Sequence, residues 1–389
     1  MRRKCAICNS SNKETLYTQK FLLPNRRKLF TYNVVDCLQC GFMFADNLPS
    51  QKEYDHYYRD SNKYTYSNKV PDGLTKIYRD MFFLCESVIT ASNPAYENKR
   101  FKVLDVGCSI GYFLNMFKSK GYRYLKGVEP SETCSRVARE LYGINVFPGM
   151  LSEYKSAHKF DLIILTGVLE HIFDFNGLIP YAARMLKESG IIMAAVPDAE
   201  KFSLNPQSPF DEFSFEHINY FTNQTLSNLL SRFGMGNIYS RTIEGSFYDT
   251  KVLVSFYKKS NEVDSMEGDS EGISRMRSYI EACNKKIKAL EKKINGLIKS
   301  DESLIVWGVG SLTYRLLATT NLGQANIQAF VDSNESLQGK RVMNKKIVSP
   351  DLFYNLDRGT VFIASHIYHR EIKNVLKNKY KFRGKVISL

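Results

Sequence analysis

Between residues 100 and 258, short apolar runs alternate with stretches whose apolar residues recur every three or four positions. The first kind reads as strands and the second as helices, and their alternation predicts a parallel α/β sheet. The predicted strands are Phe101–Val106, Tyr124–Val128, Ile144–Phe147 and Phe160–Leu165, with helices over Tyr112–Lys120 and Gln224–Phe233. The polar run 259–270 reads as a linker. Behind it, Met276, Ile280, Cys283, Ile287, Leu290, Ile294 and Leu297 follow a spacing that alternates four and three, a heptad stripe. The stripe suits either a dimerising coiled coil or a helix lying on its own chain. It spans barely three heptads and Gly296 weakens its end, so the second reading is preferred. A second α/β unit follows: strand Ser303–Trp307, turn Gly308-Val-Gly310, helix Leu312–Ala318, and strand Ile327–Val331 ending in Asp332. The expected segments are 1–70, 71–258, 259–301 and 302–389, the chain being 389 residues long.

Composition refines this picture only slightly. Hydrophobic residues make up 43%, a globular proportion. Fifty-four basic against 40 acidic residues give a net charge of +14, which favours anionic partners. The lysines are scattered, with no long block of like charge. No apolar stretch reaches the ~18 residues of a membrane span, and no apolar core follows the basic start Met1-Arg2-Arg3-Lys4, so neither a membrane nor a secreted location is expected. Four of the eight cysteines form two CxxC pairs, Cys5-Ala-Ile-Cys8 and Cys37-Leu-Gln-Cys40, and four stand singly. That pattern fits reduced, metal-binding thiols in a cytoplasmic protein. Two residues between paired cysteines let both thiolates turn onto one metal, and Gly41 lets the backbone curl beneath the sulfurs. Four thiolates complete a tetrahedral site, so the expectation is structural Zn2+.

The strand Phe101–Val106 carries Asp105 and runs into the turn Gly107-Cys108-Ser109-Ile-Gly111, where the backbone can approach a ligand closely at a helix N-terminus. The next strand ends in Glu129-Pro130, about twenty residues further on, where an acid can accept both hydroxyls of a ribose. The third ends at Gly149-Met150, the place for an apolar wall against adenine. The fourth runs into Thr166-Gly167-Val-Leu-Glu-His171. This set resembles the class I methyltransferases: an acid-x-Gly-x-x-x-Gly turn, an acid after the second strand and Leu-Glu-His after the fourth. Ser109 stands where that family commonly has glycine. A dehydrogenase-type dinucleotide site would prefer Gly-x-Gly-x-x-Gly, which is absent here. The resemblance implies a Rossmann-like sheet with S-adenosylmethionine as cofactor.

Residues 203–222 interrupt the α/β pattern and contain Glu216-His217. Methyl transfer to carbon or to a hydroxyl requires removal of a proton, which a histidine can accept. His217 beside Glu216, and His171 at the end of the fourth strand, are the candidates. Over nearly its whole length the chain resembles the three-domain sugar C-methyltransferases of deoxysugar biosynthesis, in which a four-cysteine zinc domain precedes the methyltransferase domain and a nucleotide-fold domain follows. That family has a Tyr-x-Glu-His segment at the acceptor site with the histidine as base. Glu216 and His217 match it, and Ser214 occupies the tyrosine position. The family also places an active-site tyrosine between its first two domains, for which Tyr64 and Tyr66 are the candidates here. The likeness implies a nucleotide-linked 4-keto-6-deoxysugar as partner, methylated at C3 through an enolate, by a monomer or homodimer.

Three other readings compete. An O-methyltransferase of a surface-polysaccharide sugar or its precursor would use the same base on a hydroxyl. An RNA methyltransferase would suit zinc and positive charge. However, the fourth strand lacks the Asn/Asp-Pro-Pro-Tyr/Phe turn of base-amine methylation, and no arginine-rich patch is interleaved with aromatics, so no nucleic-acid partner is expected. A non-catalytic scaffold sits poorly with intact Asp105, Gly107 and Glu129. The C-terminal unit resembles the nucleotide-fold modules of sugar and polysaccharide enzymes, where Arg315, Lys340 and His366 are available to phosphates.

Overall fold

The computed structural model describes residues 2–22, 29–48, 72–92, 96, 100–244, 251–261, 266–356 and 359–388. In chain order, the first elements are β1 (Lys13–Leu22), β2 (Leu29–Cys37), β3 (Met43–Asp46) and α1 (Asp72–Ser92). Then come β4 (Lys102–Val106), α2 (Tyr112–Ser119), β5 (Tyr124–Glu129), α3 (Glu132–Tyr142), β6 (Asn145–Pro148), β7 (Phe160–Thr166), α4 (Phe175–Met185) and β8 (Leu186–Pro197). A short β9 (Asn219–Tyr220) leads to α5 (Asn223–Ser231), β10 (Met235–Ile243), β11 (Val252–Lys259) and the long α6 (Ser270–Ser300). The last region holds β12 (Leu304–Trp307), α7 (Ser311–Thr319), β13 (Ile327–Val331), β14 (Arg341–Val342), β15 (Lys345–Val348), β16 (Thr360–Ile363), α8 (His369–Asn378) and β17 (Val386–Ser388).

The central sheet has seven strands in the order β10-β11-β8-β7-β4-β5-β6. Strands β6, β5, β4, β7 and β8 are parallel. The middle ones are apolar on both faces, as Phe-Asp-Leu-Ile-Ile-Leu in β7 shows, because helices cover both sides. From β4 the chain winds outward through β5 and β6, then returns to the other side of β4 as β7 and β8. The order reverses between β4 and β7, and sheets of this kind bind ligands beyond the carboxyl ends of the strands at such a switch point. The sheet departs from the all-parallel expectation at one edge: β11 runs antiparallel to both β8 and β10. Too few residues separate Ile243 from Val252 for a parallel crossover, which needs a dozen or more.

Two helices flanking the site are closed by their own sequence. Ser131 caps α3 by accepting from the Cys134 amide at 3.3 Å, and Gly143 ends it in the left-handed region at φ 59°. Thr222 caps α5 through a reciprocal pair with Thr225. A smaller sheet in the order β1-β2-β3-β9 pairs Met43 with Tyr220 and Phe44 with Asn219, antiparallel. Among the described residues, the stretch between the cysteine pairs holds the strands β1 and β2, as the spacing allows.

The chain forms two compact units. One comprises residues 1–15, 35–202 and 215–276; the other 16–34, 203–214 and 277–389. The second contains a six-stranded sheet, β14-β15-β13-β12-β16-β17, parallel except for β14. In α6 the heptad stripe is buried within the single chain at Met276, Ile280, Cys283, Leu290, Ile294 and Leu297. Within the second unit, Tyr279 packs edge-on against Phe210 and Phe213, and Cys283 Sγ accepts the Phe210 amide. Arg315 is not available to phosphate. It is fully buried, and its guanidinium donates to the carbonyls of Pro209, Phe210 and Phe213. His366 lies 3.7 Å from Asp211, and Lys340 is exposed.

Candidate functional site

At the end of β4 the chain must turn sharply to start α2. Gly107 (φ 72°), Ser109 (φ 48°) and Gly111 (φ 74°) all take left-handed backbone to do so. The Gly107 amide donates to Val128 O and the Gly111 amide to Cys108 O, both at 2.8 Å. Ser109 holds this conformation at a cost that glycine would avoid. Neighbouring strand β5 must be bare where the loop presses on it: a Cβ at Gly127 would fall 2.5 Å from Cys108 Sγ.

Glu129, at the end of β5, fixes the loop from the other side. One carboxylate oxygen accepts the Ser109 amide and the other the Ser131 amide, each at 2.9 Å. Each oxygen keeps a second lone pair, enough to take a pair of vicinal hydroxyls. Asp105 is 3% exposed. Burial, and then the charge of Glu129, push its carboxyl well above the usual range. Burial likewise raises Glu129, against the two amides that lower it. Two carboxylates strained in this direction form a seat for a cationic ligand.

A crevice here is lined by Asp105, Gly107, Cys108, Ser109 and Thr166 together with Tyr78 of α1. Thr166 Oγ1 is buried with no hydrogen-bond partner among the described residues. Gly111 caps α2 beside it, whereas Glu129, Pro130, Met150 and Gly167 lie outside the lining. The Met150 amide is held by Glu153 at 2.7 Å, in the short turn after β6. Sequence reasoning missed Leu74 and Tyr78 of α1, which close the crevice. Tyr78 is held there by its ring contacts with Tyr112 and Phe113, at 5.7 and 5.5 Å, which no spacing in the sequence announces.

Beyond β7, a 3-10 turn over Leu169–His171 meets the segment leading into β9. Four contacts stitch them together. His171 Nδ1 lies 2.9 Å from Glu216 O, and the Ile218 amide donates to Glu170 O at 2.8 Å. Asn219 Nδ2 donates to Leu169 O and Ile172 O at 2.9 and 2.7 Å. The stitching brings the rings of His171 and His217 to 5.0 Å between centroids, at 63°. A carbonyl can only accept, so Nδ1 of His171 carries the proton and Nε2 faces Glu170 Oε1 at 3.9 Å. Glu170 is 4% exposed and its Oε2 has no hydrogen-bond partner among the described residues. Burial raises its pKa, opposed by His171. Glu216 is buried and meets His171 through its backbone.

Arg3 supports this region from the chain start. Its guanidinium donates to Ala45 O, Ile218 O and Asn219 Oδ1, and it stacks over Phe173. Neither Arg3 nor Asn219 carries a sequence signature for this role. Tyr64 and Tyr66 lie outside the described residues.

The four paired cysteines converge. Cys5 Sγ lies 3.5 Å from Cys40 Sγ and Cys8 Sγ 3.3 Å from Cys37 Sγ, and all four sulfurs fall within 4.8 Å of one another. The two pairs fold alike. The Asn9 amide donates to Cys5 O and the Gly41 amide to Cys37 O, with Asn9 at φ 61° and Gly41 at φ 74°. A tetrahedral zinc with Zn–S near ~2.3 Å would set its sulfurs roughly 3.8 Å apart, so the arrangement fits that ion.

Residues 78–240 match the family model of a methyltransferase domain, and residues 300–387 that described as "C2185-like, N-terminal". A ubiquinone biosynthesis O-methyltransferase of Rhodopseudomonas palustris is 26% identical over 99 residues, 24% of this chain and 39% of that one. A probable S-adenosylmethionine-dependent methyltransferase of Mycobacterium tuberculosis is 27% identical over 119 residues, 30% and 43%. The chain thus spans about two fifths of the length of these curated relatives. Among solved structures, 1,6-didemethyltoxoflavin-N1-methyltransferase of Burkholderia thailandensis aligns with TM-score 0.39 at 16% identity, over 62% of this chain and 100% of that one. Magnesium protoporphyrin IX methyltransferase of Synechocystis aligns with TM-score 0.40 at 14%, over 54% and 100%. The seven-stranded sheet has the class I, Rossmann-like fold.

Proposed function

We propose that the chain is an S-adenosylmethionine-dependent methyltransferase that methylates C3 of a nucleotide-linked 4-keto-6-deoxysugar. The observation that carries this reading is the histidine pair, His171 and His217, held at 5.0 Å beyond the strand that also borders the cofactor crevice. S-adenosylmethionine bears a sulfonium and an ammonium against one carboxylate, and its net positive charge suits the buried Asp105 and Glu129. Glu129 would take the ribose hydroxyls.

The keto group of the acceptor acidifies the hydrogen on the adjoining carbon. His217 accepts that proton as the C–H bond breaks, leaving an enolate. The enolate carbon attacks the methyl group, the C–C bond forms as the S–CH3 bond breaks, and the sulfonium leaves as a neutral thioether. The methyl donor needs no activation, so alignment of the two reactants supplies much of the rate. His171, oriented by Glu216 O, positions His217 and the acceptor. In the same proposal Cys5, Cys8, Cys37 and Cys40 hold a structural zinc, which supplies no step.

Exchange in heavy water tests the central step. With acceptor and no methyl donor, the protein washes deuterium into C3 and His217→Gln does not. Methyl transfer without exchange would overturn the reading. A second reading has one observation in its favour, the similarity to a relative named for O-methylation. There His217 would deprotonate a hydroxyl of the sugar, and the product would be an ether with no deuterium on carbon.

A further inference from the structure

Glu170, His171 and His217 bring one carboxylate and two imidazoles to a point where their ligand atoms all lie within 4.8 Å of one another. We propose that these three side chains form a binding site for a first-row divalent cation. A carboxylate with two imidazoles is a donor set that zinc, cobalt, nickel and iron accept, with further positions left open.

Two features besides proximity support the site. Glu170 is almost wholly buried, and its Oε2 has no hydrogen-bond partner among the described residues. A buried carboxylate oxygen left so is costly, and a cation would satisfy it. Second, His171 already has the outer contact typical of a metal-bound histidine. Its Nδ1–H donates to a backbone carbonyl at 2.9 Å, which fixes the ring and turns Nε2 toward Glu170. The backbone stitching between Glu170 O and the Ile218 amide fixes the spacing of the two segments that supply the ligands. A cation about 2.1 Å from each ligand would draw them to roughly 3.4 Å apart, a closure of at most about 1.4 Å for side chains.

The consequence for activity rests on the C-methylation reading above. A cation on His217 occupies the lone pair that would accept the proton from carbon, so it inhibits. Under the O-methylation reading the same cation would polarise the acceptor hydroxyl and stimulate.

Cobalt(II) titration of the full-length protein, followed by absorption, tests the site. The cysteine cluster gives intense sulfur-to-metal charge transfer, and a site of nitrogen and oxygen ligands gives weaker visible bands without it. The expected result is a second equivalent lacking charge transfer, retained in Cys37→Ser and weakened at least tenfold in Glu170→Gln and His171→Asn. Glu170→Asp restores part of it. Unchanged binding of S-adenosylmethionine confirms that each variant is folded. A titration that ends with the cysteine cluster, or a second equivalent indifferent to Glu170→Gln and His171→Asn, overturns the site and leaves the C-methylation reading standing. A second equivalent that stimulates transfer upholds the site and overturns His217 as the base.

Discussion

Asp105 lines the cofactor crevice and Glu129 braces its loop, and burial holds both carboxyls above their usual pKa range. The sign of the resulting pH dependence is fixed by linkage. From the carboxylate range of an unfolded chain, about pH 4, up to their raised native values, the folded protein keeps protons that the unfolded chain has released. Stability contributed by these groups is therefore lost as pH rises through that window. Asp105→Asn removes the titration, so the variant without cofactor gains on the parent as pH rises from 5 to 7.5, as melting curves across that range will show. The same variant binds S-adenosylmethionine at least about tenfold more weakly, since a charged hydrogen-bond partner contributes roughly 1.5–3 kcal/mol. At this scale much of the cofactor loop was legible, because glycines and acids at fixed offsets have local causes. Asn9 was not: it takes the left-handed position that Gly41 takes in the other knuckle, and asparagine tolerates that conformation without announcing it. Gly41 has a further reason to be glycine, since a Cβ there would lie 2.8 Å from the Asp269 backbone amide.

Among the elements, the strands and helices were readable from periodicity, but the contacts that assemble the acceptor side were not. The turn Leu169–His171 and strand β9 are held by hydrogen bonds between residues nearly fifty positions apart, and Asn219 supplies two of them while accepting from Arg3. Asn219→Ala leaves two carbonyls and a guanidinium short of partners. It is expected to cost about 2–4 kcal/mol in denaturant unfolding and to lower turnover, with cofactor affinity nearly unchanged. The heptad stripe of α6 is a contrasting case: its spacing allowed two partners, and the structure buries it in its own chain. Leu290→Ala should cost about 2–5 kcal/mol, with the molar mass in solution unaltered. The antiparallel β10–β11 edge was missed because no strands were assigned between Phe233 and the 259–270 linker, and Ile243 and Val252 lie too close in the chain for the crossover that a parallel pair needs.

Across the molecule, the order of segments along the chain was legible and their membership of compact units was not. Residues 16–34 and 203–214 belong with residues 277–389, a grouping set by contacts such as Tyr17 stacked on Phe210 at 4.1 Å and Arg315 on the carbonyls of Pro209 and Phe210. Arg315 looked like a phosphate ligand because an arginine near a nucleotide fold usually faces solvent, and only the fold shows it enclosed. Arg315→Lys, which cannot reach three carbonyls from one planar fork, should lower the melting temperature by several degrees. On the proposal that the four cysteines hold zinc, a strong chelator or Cys37→Ser should likewise lower the melting temperature while methyl transfer per folded molecule persists.

The interleaving of the units bears on synthesis and dissection. The backbone passes from one unit to the other five times, after residues 15, 34, 202, 214 and 276. A ribosome that has released residue 276 has supplied every segment of the first unit, while the second still lacks most of its sheet. During translation, residues 16–34 and 203–214 are therefore made well before residues 277–389, the segment with which they share a unit. Cutting the gene at a single point cannot yield two self-sufficient halves, and a fragment beginning at residue 277 would leave the Arg315 guanidinium, buried in the whole protein, with none of its three acceptors.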